Sequence, residues 1–328
     1  MSIRILRAGL HTLVMDQGRK STRSLGIPTS GVIDLFQYWW ANGLVGNHDF
    51  FGSGPPVLEI GSGGVQILFN HAHRFALTGS SGCFLLDGMR LSSHTTYFAR
   101  KGQVLQIPSI ARNGTVYLAI DGVWKVEKVY GSASADILSP FPDTCGSFLR
   151  KNKVIEIEPS ENYTVSKRGS PDYIEPLMPI DQYTLRIMAG PELHWIDLPS
   201  KVLWNQPYTI SRTSNRMGFR LESGTHPTFA DNQMISSIVV PGTIQWPVGG
   251  QPILLLPNCQ TTGGYPRIGV VIEADMWKLA YVGPGDRLGF KWVTRDEASY
   301  LRKYQMGQFT RVWNQTFKQT IKHHSLMY

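Results

Sequence analysis

The sequence predicts a mainly β fold in two packed subdomains with few helices, and three observations carry that reading. Its 328 residues exceed the size at which one hydrophobic core usually keeps growing, so two cores are expected. Charged residues make up only 17% against 42% hydrophobic, with 33 Gly and 20 Pro, a balance suited to short strands and many turns. Short apolar runs recur along the chain with turn residues between them.

In the first half these runs are Val57-Leu-Glu-Ile60, Val65-Gln-Ile-Leu-Phe69, Arg74-Phe-Ala-Leu-Thr78, Cys83-Phe-Leu-Leu86, Val104-Leu-Gln-Ile107 and Val116-Tyr-Leu-Ala-Ile120. Gly61-Ser-Gly-Gly64, Gly79-Ser-Ser-Gly82, Asp87-Gly88 and Asn113-Gly114 separate them as turn and hairpin signals, so an antiparallel barrel or sandwich is expected. One segment departs from this pattern. Asp34 and Gln37 have capping-box spacing, Leu35, Phe36, Trp39, Trp40, Gly43 and Leu44 repeat at helical spacing, and Gly46-Asn47 is a stop. A buried helix plugging a barrel end is predicted there.

Residues from about Pro159 to Asp181 are rich in Pro, Ser and charge without periodicity, and they read as the linker between subdomains. Strand signals resume at Tyr183-Thr-Leu-Arg-Ile187 and run through Trp204, Ser236–Val240, Pro252–Leu256 and Ile268–Ile272 to Leu288–Trp292. Thr294 and Glu297 then form a second capping-box pair that opens a C-terminal helix, with Trp313, Phe317 and Ile321 on one face.

Composition also limits function. Cys83, Cys145 and Cys259 are odd in number and lack CxxC spacing, which suggests neither a disulfide framework nor a thiolate metal site. His71 and His73 could share a strand face as metal ligands, but no acidic or Cys partner lies nearby in sequence, so no metal is expected. The opening Met1-Ser-Ile-Arg-Ile-Leu-Arg-Ala-Gly9 lacks a signal-peptide core, and no stretch approaches the roughly 20 apolar residues of a membrane span. A soluble, cytoplasmic protein without a membrane partner is expected. The net charge of +8 is concentrated: Arg302, Lys303, Arg311, Lys318 and Lys322 lie in a segment from Ser299 to Tyr328 without Asp or Glu. The Trp313, Phe317 and Ile321 stripe asks for apolar burial that a phosphate backbone does not provide. Packing on the second barrel or against a subunit is therefore expected, not nucleic-acid binding.

No phosphate loop, HExxH, GxSxG elbow or EF-hand loop is present. The densest polar, glycine-rich segment runs from Gly242 to Pro266 and contains Gln260-Thr261-Thr262-Gly263-Gly264-Tyr265-Pro266. Its amide and hydroxyls could orient a polar ligand while Gly263-Gly264 lets backbone N–H groups approach it; a tight turn held by its own side chains is the alternative.

This segment resembles the Gln-Thr-Thr-Gly-Gly-Tyr-Pro pattern of the biotin-dependent carboxyltransferase family, also called allophanate hydrolase subunit 2, which includes urea carboxylase domains, the C component of 5-oxoprolinase and the Kip-type antikinase. Further matches follow in family order: Asp16-Gln-Gly-Arg19, Gly26-Ile-Pro-Thr-Ser-Gly31 with Asp34, Ala41-Asn42 with Leu44–Asn47, Leu58-Glu59, Gly131-Ser132, Gly190-Pro191, Ser214–Gly218 with Arg220-Leu221, and Pro284-Gly-Asp286. The resemblance implies two cyclophilin-like β-barrels with a cleft between them, at residues 1–165 and 180–298, followed by a basic helical tail at 299–328. Met15, Ala133, Ala135, Ser237, Asn258 and Tyr281 depart from it, several of them replacing polar groups by apolar or neutral ones.

Arg19 and Arg216 sit in or beside glycine-containing loops, where a fixed guanidinium could fork onto a carboxylate or phosphate; they and Glu59 are the candidate catalytic residues. Structural pairing of an arginine with Asp16 or Asp34, or of Glu59 with Arg19, is the competing reading. Asp16, Asp34, Gln245, Gln251, Gln260, Thr261, Thr262 and Tyr265 are the candidate substrate-binding residues. By resemblance the chain is expected to serve an ATP-dependent 5-oxoprolinase, opening a lactam to glutamate. Its partner would resemble the B component of 5-oxoprolinase, or allophanate hydrolase subunit 1, with the A component as a further member; a homo-oligomer is also open. ATP could be bound at a site shared with the partner, and no covalent biotin is expected because no Met-Lys-Met context is present. Carboxyl transfer to urea or a related amide, and non-catalytic binding of the antikinase kind, are the alternatives.

Overall fold

A computed structural model describes residues 1–47, 54–137, 141, 148–159, 183–196, 204–224, 227–229 and 234–318. The expected linker beyond Pro159, Cys145, Ile321 and Lys322 lie outside them. The chain divides into two compact units: Met1–Arg19, Asp34–Met178 and Gly307–Tyr328 form one, and Lys20–Ile33 with Pro179–Met306 form the other.

The first unit is the sandwich form of the expected antiparallel architecture. One sheet has seven strands in the order Val123–Lys125, Val154–Glu158, Ser2–Ala8, Val65–Phe69, Val104–Ile110, Gly82–Leu86 and Met89–Arg90. The other has five, in the order Thr12–Met15, Val57–Ile60, Val116–Ile120, His73–Gly79 and Thr96–Ala99. Alternation supplies the core: Ile3, Ile5, Ile67, Phe69 and Leu105 from one sheet meet Val14, Leu58, Phe75, Leu77 and Leu118 from the other.

Helix α1 (Leu35–Val45) packs on the strands His73–Gly79 and Val116–Ile120 of that unit, and its ends are those the sequence predicts. The Asp34 carboxylate accepts the Phe36 and Gln37 N–H groups at 2.9 and 3.2 Å, while Gly46 caps the other end in the left-handed conformation, φ 88°. Gln37 does not complete the capping box. Its Oε1 instead accepts from Gly79 N at 3.0 Å and from His94 Nε2 at 2.9 Å, and burial pushes the His94 imidazole down to about 4, so the ring is neutral at pH 7.

Helix α2 (Arg295–Trp313) opens on the predicted pair, with Thr294 N donating to Glu297 Oε2 at 2.7 Å and Glu297 N donating to Thr294 Oγ1 at 3.2 Å. A wider π turn, Asn314–Lys318, continues it. The aromatic stripe of this tail does not cover the second barrel, which was one of the two surfaces expected for it. Phe309, Trp313 and Phe317 pack within the first unit on the aromatic face of α1, at ring separations of 6.1, 6.0 and 5.0 Å from Trp40. The reason is Gly43, beside which the Trp313 ring fits so closely that an added Cβ would lie 2.5 Å from its Cη2.

Trp313→Ala should therefore cost about 3–5 kcal/mol in urea unfolding, the usual range for emptying an aromatic site. Gly43→Ala should destabilise the wild type and cost less in the Trp313→Ala background, where the closest ring is gone and only Phe317, 3.0 Å from the added Cβ, opposes alanine's helix advantage of up to about 1 kcal/mol. Additive effects of the two substitutions would show that the contact is not what excludes a side chain at 43.

The second unit is a closed seven-stranded barrel in the order Thr184–Ala189, Arg267–Val271, Thr243–Gln245, Ile253–Leu255, Gly218–Glu222, Tyr208–Ile210 and Arg287–Trp292. Parallel pairing of the first and last of these strands closes it; the other pairs are antiparallel. Leu185, Ile187, Tyr208, Leu221, Ile244, Trp246, Leu254 and Leu288 fill the interior. Beside the barrel the 3-10 segment Glu273–Ala280 places Asp275 with no exposed surface, bonded to Arg186 N, Nε and Nη2 and 3.5 Å from Lys278 Nζ. Among the described residues no helix is long and apolar enough to cross a membrane.

Candidate functional site

In the first unit Asp16, Arg19 and Glu59 are nearly excluded from water, with 4%, 1% and 4% of their surface exposed. Asp16 follows the strand Thr12–Met15 and its carboxylate is saturated: Gly18 N, Ser132 Oγ and Ser134 Oγ donate to Oδ1 at 2.8, 2.5 and 2.6 Å, and Ala133 N donates to Oδ2 at 2.7 Å. Arg19 donates from Nη2 to the Ser134 carbonyl at 2.6 Å, with its guanidinium 4.8 Å over the Phe141 ring. These two residues thus fix the segment 132–134 from either side. Glu59 lies in the second strand of its sheet, opposite Leu13 and Tyr117. Asp34 is the cap of α1, and its own N–H donates to Tyr117 Oη at 3.0 Å. Met15, Ala133 and Ala135 are fully buried, so the departures there fall inside the core.

His71 and His73 do not form a ligand pair. His71 Nδ1 accepts from Ser2 N at 3.1 Å, whereas buried His73 faces Asp121 at 3.3 Å. Among the described residues no group of three or more His, Cys, Asp or Glu is placed to hold a metal ion.

The second unit gathers most of the remaining candidates on the loop that leaves the strand Ile253–Leu255. Asn258 is wholly buried, accepts Arg216 Nε at 2.9 Å and donates to Ser30 Oγ at 3.0 Å; Arg216 also donates to the Gly31 carbonyl at 2.8 Å. From here the chain alternates. Cys259 and Thr261 are buried, whereas Gln260 is half-buried and Thr262 exposed. Burial pushes the Cys259 thiol up, against the opposing pull of the Arg23 guanidinium beside it.

Beneath the loop Gln245, 1% exposed, accepts from Gln260 Nε2 at 3.3 Å and donates to the Tyr265 carbonyl at 3.3 Å. A Cβ at Gly263 would lie 2.6 Å from Gln245 Nε2, so a larger residue there would have to displace that amide. Tyr265 is 47% exposed at the rim. Gln251 is placed elsewhere, bridging Ser223 N and O. Thr262 and Tyr265 are therefore the exposed side chains of the loop, half-buried Gln260 ties it to Gln245, and Gln245, Thr261 and Asn258 lie beneath.

Thr262–Gly263 pairs with Ser237–Ile238 as a two-stranded sheet, and two arginines hold it. Arg267 donates from Nη1 to the Ile238 carbonyl at 2.7 Å while forking onto Glu192 at 2.9 and 2.6 Å, a hydrogen-bonded pairing that holds the Glu192 carboxyl below its usual range. Arg23 donates to the carbonyls of Val239, Gln260 and Thr261. Sequence reasoning did not single out Ser134, Glu192, Arg267 or Arg23, whose partners lie far away along the chain.

Residues 25–292 match the family described as carboxyltransferase domain, subdomain A and B. The chain is similar to the C component of 5-oxoprolinase from Escherichia coli, at 33% identity across 94% of this chain and 97% of that one. It is also similar to urea amidolyase of Saccharomyces cerevisiae, at 27% identity across 93% of this chain but 17% of that much longer one. The crystal structure of Kluyveromyces lactis urea carboxylase shares the fold, with a TM-score of 0.83 at 23% identity over 95% of this chain and 29% of that one.

Proposed function

This chain belongs to the carboxyltransferase family of subdomains A and B, and from that premise we propose that it is one component of an ATP-dependent 5-oxoprolinase that opens the lactam to glutamate. The observation that carries the reading is the end-to-end correspondence with a protein named as the C component of 5-oxoprolinase, which leaves neither sequence with a large unmatched part. Such a name implies companions. The partner would be a protein resembling the B component of 5-oxoprolinase, with the A component completing the hydrolysis.

The chemistry suits the loop. An unstrained lactam resists opening, and coupling to phosphoryl transfer from ATP supplies the driving force. ATP would be bound together with the partner. The part of this chain is to bind and orient: the Gln260 amide and Thr262 hydroxyl can hydrogen-bond the lactam C=O and N–H, with Tyr265 against the ring.

Carboxyl transfer to urea is the second reading, favoured by the similarity to urea amidolyase, although the chain spans about a sixth of that protein. One assay separates the two. The chain mixed with its partner proteins should form glutamate from 5-oxoproline only with ATP, and should not incorporate bicarbonate into urea in the presence of a biotinylated carrier. The reverse pattern would move the assignment to carboxyl transfer. Stable complex formation with neither turnover would make the chain a non-catalytic binding protein of the antikinase kind.

A further inference from the structure

We propose that Arg23 is a positioning residue that sets which side chains of the 259–262 loop face outward, an inference that rests on the reading of this loop as the substrate-binding rim. Arg23 comes from the short 3-10 turn Arg23–Leu25, in the segment Lys20–Ile33 that groups with the second unit although it lies more than 200 residues before the loop. Its Nη2 is directed at three backbone carbonyls, those of Val239, Gln260 at 3.1 Å and Thr261 at 3.4 Å. Val239 N in turn donates to the Thr261 carbonyl at 3.1 Å. One guanidinium thus joins both strands of the small two-stranded sheet through charge-assisted bonds, which are roughly twice as strong as neutral ones.

This two-stranded sheet needs such a tie. Its pairing covers two residues on each side, Ser237–Ile238 and Thr262–Gly263, far below the length at which a strand pair is stable by itself. Thr261 is buried and Thr262 exposed at the start of this pairing, so a slip of one residue would turn Thr262 inward and carry Thr261 out. The carbonyls of Gln260 and Thr261 are the atoms whose placement distinguishes the two registers, and Arg23 holds both.

The guanidinium also stands beside the buried Cys259 thiol. An apolar side chain at this position could not hold the carbonyls.

The test uses the complete assembly with Arg23→Ala and Arg23→Lys, read by turnover and by hydrogen exchange. In Arg23→Ala, kcat/KM for 5-oxoproline should fall about 10- to 100-fold, the scale carried by a misplacement of about 1 Å. Amide exchange should accelerate at residues 259–263 while the rest of the barrel keeps its protection. Arg23→Lys, which keeps the charge and a donor, should recover part of both. Thr294→Ala, which loses a helix cap remote from the loop, should lower stability without changing kcat/KM per folded molecule. Unchanged exchange at 259–263 in a folded Arg23 variant would overturn the proposal, as would faster exchange with full turnover. If the wild-type assembly turns over no 5-oxoproline, the functional reading fails, and the exchange data still decide whether Arg23 holds the loop.

Discussion

Gln260→Ala combined with Thr262→Ala should abolish turnover by the assembled enzyme while leaving the melting temperature of the chain nearly unchanged. Thr262 is exposed, and half-buried Gln260 donates to Gln245 across 3.3 Å, so little folding energy depends on either. Polar truncations at such positions usually shift stability by no more than about 0.5 kcal/mol. The loss in activity should be far larger, because on the proposed reading the loop loses both groups that orient the substrate amide. Calorimetry and turnover on the same preparation separate the outcomes. A large fall in melting temperature with activity retained per folded molecule would make the loop structural.

The opposite signature is expected at Asp275. This carboxylate has no exposed surface and answers two cations, Arg186 through a forked contact and Lys278, whose side chain is also fully buried. Asp275→Ala removes the buried carboxylate that both cations share, while Lys278 Nζ keeps its 2.6 Å donation to the Thr184 carbonyl. Removing one partner from a buried ionic group typically costs about 3–5 kcal/mol. Asp275→Asn, which keeps an oxygen facing Arg186, should lose less. A change below about 1 kcal/mol in urea unfolding of Asp275→Ala would mean that water reaches the cluster and the cations are not buried as placed.

The fold was legible wherever a run was long enough to show a period. The six apolar runs of the first half are all strands, and α1 begins and ends at the predicted caps Asp34 and Gly46. Ser2–Ala8 and Val154–Glu158 carried the same signal in the alternation of Ile3 with Ile5 and of Ile155 with Ile157. Thr243–Gln245 and Tyr208–Ile210 have three residues each and exist as strands because barrel closure pairs them, which no local pattern records.

The site divides in the same way. Gln260, Thr262 and Tyr265 were visible as a polar, glycine-rich loop, because that chemistry is local. Asp16 and Arg19 were equally visible as charges, but their burial is set by Ser132 and Ser134 more than 100 residues later, so charge alone could not distinguish a ligand contact from a buried support. Arg23 was hidden for that reason too. The tail shows the limit from another side: its aromatic stripe was read correctly as a packing face, yet which surface it covers depends on the gap left by Gly43.

The central claim is that this chain is a working component of a 5-oxoprolinase, and an omission experiment tests it most directly. Partner proteins of the B and A kinds are incubated with 5-oxoproline and ATP, with and without this chain, and glutamate is measured. The account predicts ATP-dependent glutamate formation that requires the chain and saturates at a fixed ratio to the partner. Equal glutamate formation in its absence, or none in its presence when the partner binds it stoichiometrically, would contradict it.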